Sequence, residues 1–462
     1  MSLWTSAAIA AATGGSASAD FTATGVTFDS REVGSGDLFI AMTGEATDGH
    51  RFAEGAFASG AAGAIVSRPI GGPHVLVADT TAALDALGRA ARARTRATII
   101  GVTGSVGKTG TKEALAAALA RSGAATHRSI KSYNNHTGVP LSLARMPADS
   151  RFGVFEMGMN HAGELDRLAR LVRPHVALVT AIAPAHTAFF SGEEAIADAK
   201  GEIFAGLEPG GTAIVPFDSP HRDRLIAAAR LHAARIKTFG SGEGADVRVI
   251  ETMRAVSGGT FVTAHVGARE LSFTVAAPGA HWVSNALAVL AAVEASGGDL
   301  GLAGLALGEM PGLPGRGERS EVRVAGGTAT ILDESYNANP SSMRATLAVL
   351  GQQPGRRIAV LGEMRELGEE GPAYHAALAG PIDEAGVSHA VLVGKDMAPL
   401  ARALEGKIDF VHVPDAAAAR DRLSAVIAAG DAVLVKGSNG VGLAAVVAAM
   451  KALDGVSAEA VG

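Results

Sequence analysis

The chain has 462 residues, 48% hydrophobic and 19% charged, with 40 Lys plus Arg against 46 Asp plus Glu for a formal net charge of −6. At roughly 150 residues per domain this allows about three cores, and disorder or a collagen-like repeat is excluded by so hydrophobic a composition. No basic block marks a nucleic-acid or anionic-membrane partner, no apolar run reaches the roughly 18 residues of a bilayer span, and zero cysteines leave only O and N ligands for any metal.

The apolar N-terminus has no Lys or Arg before Arg31. It lacks the charged start of a signal peptide and is read as a short helix beginning near Thr5 or Ser6 and stopping at Gly14 and Gly15. A cytoplasmic location without membrane insertion is expected. From Ser30 to about Arg96, β-like runs at 37–41, 64–67 and 74–78 alternate with helical stretches such as 82–94. A strand at 97–103, a Gly-rich loop and an Ala/Leu helix over 109–121 then follow in order. Strands at 152–155, 176–182 and 212–215 continue this as a parallel sheet with crossover helices. Residues 236–275 read as an antiparallel insert before a helix at 283–295. The Pro- and Gly-rich segment 310–317 is the strongest linker candidate. Five further strands, at 328–332, 357–361, 389–393, 409–413 and 432–435, predict a doubly wound unit. With only 4% aromatic residues, the cores must be aliphatic, as in α/β proteins.

The loop Thr103-Gly104-Ser105-Val106-Gly107-Lys108-Thr109 sits where backbone N–H groups and a helix N-terminus cradle phosphate. Lys108 would neutralise the outer phosphates and the Thr109 hydroxyl would ligate Mg²⁺. A Gly-rich turn with an incidental lysine is the competing reading, disfavoured by the strand before and the helix after. Ligands of open α/β sheets lie beyond the carboxyl ends of strands, which directs attention to Glu156 and His186 as Mg²⁺ ligands of acceptable chemistry. Lys200, among Glu193, Glu194, Asp198 and Glu202, reads on pattern alone as part of a solvated helix face. Asp333 and the run Lys436-Gly437-Ser438 end strands of the last unit, at a mouth able to take nucleotide or substrate. Plain capping is the alternative for Asp333.

Together these residues resemble the Mur ligase family across all three units, and within it the branch that joins a dipeptide rather than one amino acid. The segment 29–52, DSREVGSGDLFIAMTGEATDGHRF, is similar to the family's uridine-nucleotide segment and implies that Ser30, Arg31 and Thr43 contact the UDP part. KSYNNHTGVPLSL over 131–143 resembles a substrate-facing loop and implicates Asn134 and Asn135. The resemblance implies ATP contacts by Gly104, Ser105, Val106, Gly107, Lys108, Thr109 and Gly110, with His281 and Asn285 toward adenine. Arg316 would reach the phosphates from across the linker, and Asp333, Tyr336 and Asn339 would lie on the ATP side of the third domain. Glu156 and His186 match the family's Mg²⁺ positions. Lys200 matches a lysine that is carbamylated to hold a second Mg²⁺, which overturns the solvated-helix reading. Lys436 and Ser438 carry over as substrate-side residues, and 361–371 with His375 resembles the C-terminal pattern.

Four departures stand out: Gly110 where Ser or Thr is usual, Pro216 where an adenine-binding Asn is common, Trp282 within the usual polar pair, and KGSNGVG in place of an Arg-containing tail. NPSS at 339–342 replaces the N-P-R run of the branch that adds the third peptide residue.

The resemblance implies an α/β chain of three domains: a small UDP-side domain over 1–95, a central P-loop domain with a parallel sheet over 96–312, and a Rossmann-like doubly wound domain over 313–462 closing over ATP and dipeptide. It implies an ATP-dependent amide ligase working through an acyl phosphate, with UDP-N-acetylmuramoyl-tripeptide and D-alanyl-D-alanine as substrates, two Mg²⁺ ions, a carbamylated Lys200 and a monomeric enzyme. A relative adding a single amino acid, a folylpolyglutamate-type ligase, or a non-catalytic nucleotide module are the alternatives. Glu156, His186 and Lys200 together disfavour the last, since an ATP sensor needs no second metal. No catalytic base is assigned.

Overall fold

The computed structural model describes residues 2–44, 47–184, 187–255, 259–310 and 312–459. The N-terminal helix is Ser6–Thr13, started by the Thr5 hydroxyl accepting the Ala8 N–H and ended by Gly14 at φ 67°. A five-stranded sheet follows in the spatial order Ser16–Ala17, His74–Leu76, Gly63–Val66, Asp37–Ile40, Gly25–Thr27. It is parallel except at the Ser16–Ala17 edge.

The central sheet has nine strands. Thr98–Thr103 lies between Phe152–Glu156 and Val176–Val179, parallel to both. Every residue from Ile99 to Thr103 is buried, as expected of a strand covered by helices on both faces. The antiparallel pairing expected over 236–275 is present from Val247 onward, as an extension of the central sheet. Arg235–Gly240 and Val247–Arg254 continue the same sheet, and Thr260–Val266 with Arg269–Val275 close its edge antiparallel.

The third sheet has six strands, one more than predicted. Glu318–Val324 forms an antiparallel hairpin with Gly327–Glu334, and the other pairings are parallel.

The first two sheets share one hydrophobic core across their boundary, beside a separate cluster on the other face of each. Leu84 and Leu87 of the helix Thr80–Arg94 belong to the same buried cluster as Val139, Leu143 and Phe155. Polar ties cross the same seam: Trp4 Nε1 donates to the Ala144 carbonyl at 2.8 Å and Arg92 Nε to that of Val172 at 2.7 Å. The third sheet instead has two clusters of its own.

The linker predicted at 310–317 is only partly free. Gly315 N–H donates to Asp333 Oδ2 at 2.8 Å, Gly317 N–H to the Asp333 carbonyl at 2.9 Å, and Tyr336 N–H to the Gly315 carbonyl at 3.1 Å. Residues 315–317 are thus clipped to the third domain, and Arg316 belongs to that body. Among the described residues no helix is long and apolar enough to cross a membrane.

Candidate active site

The strand Thr98–Thr103 delivers the chain into a loop whose Gly104 (φ 146°) and Gly107 (φ 84°) adopt left-handed backbone, and the helix Lys108–Ala120 starts directly after it. Its N-terminal N–H groups therefore point outward at the sheet's carboxyl edge, where an anion is favoured. The neighbouring strand's end braces the loop: Ser105 N–H donates to the Ala181 carbonyl at 2.8 Å and Thr180 Oγ1 to that of Val106 at 2.5 Å. The Ser105 hydroxyl is buried without a hydrogen-bond partner, as in a loop shaped for a ligand. Lys108 Nζ donates back to the Gly104 carbonyl at 2.7 Å. Burial lowers its pKa, with Glu156 opposing and Arg316 adding to the shift.

Glu156, the last residue of Phe152–Glu156, is 1% exposed. Its Oε2 accepts from Thr109 Oγ1 at 2.8 Å and its Oε1 from Asn134 Nδ2 at 2.7 Å. Lys112, fully buried one helical turn after Lys108, stands 4.0 Å from Glu156 and donates to the carbonyls of Ser129 and Lys131 at 2.7 and 2.8 Å.

The third domain supplies the opposite wall. Arg316 donates from Nη2 to Ser132 Oγ at 3.1 Å and lies over the Tyr336 ring, 4.1 Å from its centroid. Glu334 faces the same space, and Lys436 Nζ lies 3.5 Å from Glu334 Oε2 and 2.9 Å from the Asn337 carbonyl. Burial raises the Glu334 pKa and lowers that of Lys436, each opposed by the other's charge. The cavity so enclosed measures about 280 Å³ and runs from the phosphate loop to His281, Trp282 and Asn285. Asn285 packs against Gly107, where a Cβ would come within 2.7 Å of its Oδ1. Burial, helped by Lys436, pulls the His281 pKa down to about 4, so its imidazole is neutral at pH 7.

Lys200 is 1% exposed near the end of the helix Glu193–Gly201, not on a solvated face. Its pKa is driven well below that of a free lysine by burial and then by Lys108, against the pull of Glu202. His186 lies outside the described residues. Among the described residues no three His, Asp or Glu side chains form a ready metal cluster.

Of the other predicted residues, Tyr336 and Asn339 line the cavity, Asn339 also capping the helix Pro340–Gly351. Gly104, Lys200, Ser30, Arg31, Thr43, Asn135, Asp333 and Ser438 do not line it, and for the last three the bonds they make are plain. Asp333 accepts from Gly315 N–H, Ser335 N–H and Ser335 Oγ. Asn135 Oδ1 caps Thr137 and Gly138. Ser438 Oγ accepts from Arg365 N–H. Ser30 and Arg31 form a turn capped by Asp29, and Thr43 forms a bridge with Asp48. That turn abuts the 131–134 loop through a Glu32–Lys131 ion pair and the Phe28 and Tyr133 rings, 5.7 Å apart. Pro216 closes the strand Thr212–Pro216 away from the cavity. Glu334, Lys112, Ser132 and Thr180 were missed.

A glycine-rich loop before a helix, in the body carrying the first two sheets, is thus faced across one cavity by an arginine carried on the third domain, the layout of a nucleotide-dependent ligase. The chain belongs to the Mur ligase family. Its residues 22–121 match the Mur ligase family catalytic domain, 102–293 the Mur ligase middle domain and 316–439 the Mur ligase glutamate ligase domain. Among characterised relatives it is 35% identical to the UDP-N-acetylmuramoyl-tripeptide–D-alanyl-D-alanine ligase of Escherichia coli, over 94% of this chain and 95% of that one. It is 33% identical to the Bacillus subtilis ligase of the same name, over 92% of each. Two solved structures are similar throughout: MurF from Acinetobacter baumannii (TM-score 0.84, 33% identity, 97% and 98% of the two chains) and MurF from Thermotoga maritima in complex with ADP (TM-score 0.77, 25% identity, 93% and 97%).

Proposed function

We propose that this chain is an ATP-dependent ligase that adds D-alanyl-D-alanine to UDP-N-acetylmuramoyl-tripeptide, releasing ADP and phosphate, in peptidoglycan precursor synthesis. The observation carrying the reading is the single cavity shared by Lys108 and Thr109 of the phosphate loop and Arg316 and Lys436 of the third domain. It occurs in a chain that matches such ligases over more than nine-tenths of its length. We assign 1–95 to the UDP side, 96–312 to ATP and metal, and 313–462 to closure over nucleotide and dipeptide, in a cytoplasmic monomer.

Two anions must meet in the first step, so the site has to supply positive charge in fixed positions. A carboxylate oxygen of the nucleotide-tripeptide bonds to the γ-phosphorus and the bond to the ADP oxygen breaks. Lys108 and the helix N-terminus hold the phosphates on one side while Arg316, held over the Tyr336 ring, meets them from the other. The dipeptide amine then attacks the acyl carbon and phosphate leaves. A terminal amine with a reference pKa of about 8 is partly neutral at pH 7, so no strong base is required. Closure of the third domain excludes water from the acyl phosphate.

The oxygen donors suit a hard cation: the Thr109 hydroxyl, the Glu156 carboxylate, and Lys200, whose burial favours the neutral amine that adds CO₂ to become a carbamate, with His186 a less preferred nitrogen donor. When bound, two Mg²⁺ ions would neutralise phosphate charge and fix the phosphate oxygens. These site roles are part of the proposal.

The test is ADP release with ATP, Mg²⁺, UDP-N-acetylmuramoyl-tripeptide and D-alanyl-D-alanine, omitting each in turn. Turnover should require all four. Turnover that persists without the dipeptide, or that prefers a single amino acid, would overturn the reading.

A further inference from the structure

Gly110 lies in the first turn of Lys108–Ala120, where glycine is a poor helix former and needs a reason. A Cβ at this position would stand 2.8, 3.2 and 3.5 Å from Cη2, Cζ3 and Cζ2 of Trp282, so the benzo edge of the indole rests on the bare helix backbone. The ring has little freedom to step aside. It is 6% exposed and rooted near the start of the helix Ala280–Ala295. Its other edge reaches the third domain: Nε1 would lie 3.1 Å from a Cβ on Gly317, a residue at φ 88° inside the segment clipped to Asp333. Two departures from the family pattern, distant in sequence, are therefore one packing event. The indole fills the volume vacated at 110 and spans from the phosphate-loop helix to the residue after Arg316, along the wall of the cavity.

We propose that Trp282, seated on Gly110, is a positioning residue that sets the linker, and with it Arg316, over the phosphates of the bound nucleotide. This rests on the reading of the cavity as the ATP site. The ring transmits position because it is stiff and touches both bodies. A side chain at 110 would push it toward Gly317 and displace the arginine. A smaller residue at 282 would leave the linker unsupported and at the same time make room at 110.

The experiment is a four-protein cycle: wild type, Gly110→Ser, Trp282→Asn and the double variant, each assayed for kcat, KM for ATP and ADP affinity by equilibrium dialysis. Gly110→Ser should lower kcat about tenfold or more, with ADP affinity held within about threefold, and should cost no more than about twofold in the Trp282→Asn background. An equal cost in both backgrounds would overturn the proposal. A readout free of activity comes from the chain's two tryptophans, since Trp4 is buried beneath Arg94, far along the sequence in the first domain. ADP should change the indole emission of wild type saturably, and Trp282→Phe, which keeps a ring and carries the test should Gly110→Ser not fold, should abolish the change while still binding ADP. Bound ADP with unchanged wild-type emission, or an emission change that survives in Trp282→Phe, would refute the role. Failure of wild type to bind ADP would instead remove the nucleotide reading on which it stands.

Discussion

Replacing Glu156 by Gln isolates the charge at the centre of the site. The side chain keeps its size in a position only 1% exposed, so no cavity opens. The carboxylate accepts from Thr109 Oγ1 and Asn134 Nδ2 at 2.8 and 2.7 Å, bonds to a charged group of about 1.5–3 kcal/mol each. An amide retains neutral versions of both if the hydroxyl turns to accept. Lys112, 4.0 Å away, loses an attraction of about 4 kcal/mol at an effective dielectric of about 20. Part of that is offset because the variant no longer buries a desolvated carboxylate, and Lys112 is not left unpaired, keeping Glu113 at 2.8 Å and two carbonyl acceptors. The fold should therefore lose only about 1–3 kcal/mol, and the melting temperature should fall by a few degrees. Under the proposed function catalysis should lose far more, because the missing charge is the one that would hold a cation beside the phosphates. Removal of one preorganised electrostatic group costs about 10²–10³ in rate. The assay is ADP release against ATP at several Mg²⁺ concentrations. We expect kcat/KM for ATP to fall by about 10²–10³ and half-saturation by Mg²⁺ to move upward. A variant within threefold of wild type, with unchanged Mg²⁺ dependence, would refute the assignment of this carboxylate.

Arg316→Lys should lower kcat by about 10–100-fold, since an ammonium cannot present a planar fork to phosphate. Binding of the uridine nucleotide, measured by calorimetry, should be unchanged, and a parallel loss would place the arginine elsewhere. Lys200→Ala should be inactive and regain part of its activity with small added carboxylates. Full activity without them would return Lys200 to a packing role. His281, held at about 4, has a depressed pKa, so between about pH 6.5 and 4 the unfolded chain takes up a proton that the folded chain refuses. Stability should fall as pH drops through that window, and His281→Asn should flatten the fall in denaturation curves taken at pH 7 and 5. An identical slope in the variant would show that the imidazole protonates freely. Calorimetry of the ligand-free protein should show two unfolding transitions, one for the shared core of the first two sheets and one for the third domain. A separate melt for each sheet would contradict the shared core.

The phosphate loop was legible because its signal is local: a buried strand, two glycines and a helix start within twelve residues of each other. Lys200 was not, since Glu193–Gly201 carries the charge pattern of a solvated helix. The helix itself is covered by the distant helix Arg222–Arg230, where a Cβ on Gly201 would stand 3.0 Å from Ala228, while Lys200 feels the charge of Lys108 at the phosphate loop. Only the family resemblance flagged it. Asp333 and Glu334 show a different limit. Neighbours in a strand point to opposite faces, and pattern cannot say which faces a cavity built by another domain. The structure gives Asp333 to the linker and Glu334 to the site. The strand Glu318–Val324 escaped notice because, as an edge, it buries only Val322, so the run of hydrophobics that marks an interior strand is missing.

The unequal seams between the sheets decide which parts of this chain are exchangeable. Transplanting the third domain would carry its own two cores, its clipped linker segment and Arg316 as a cassette, and the recipient would need a matching rest for Gly317 and a partner for Arg316 in the place of Ser132. Transplanting the first domain would tear Leu84 and Leu87 from the residues that cover them, so substitutions on both sides of the helix Thr80–Arg94 would have to change together. Variation among relatives is therefore expected to be coupled across the first boundary and looser across the second, where the bodies meet through isolated contacts such as Trp282 on Gly317, Arg316 on Ser132 and Ala188 N–H on the Glu366 carbonyl.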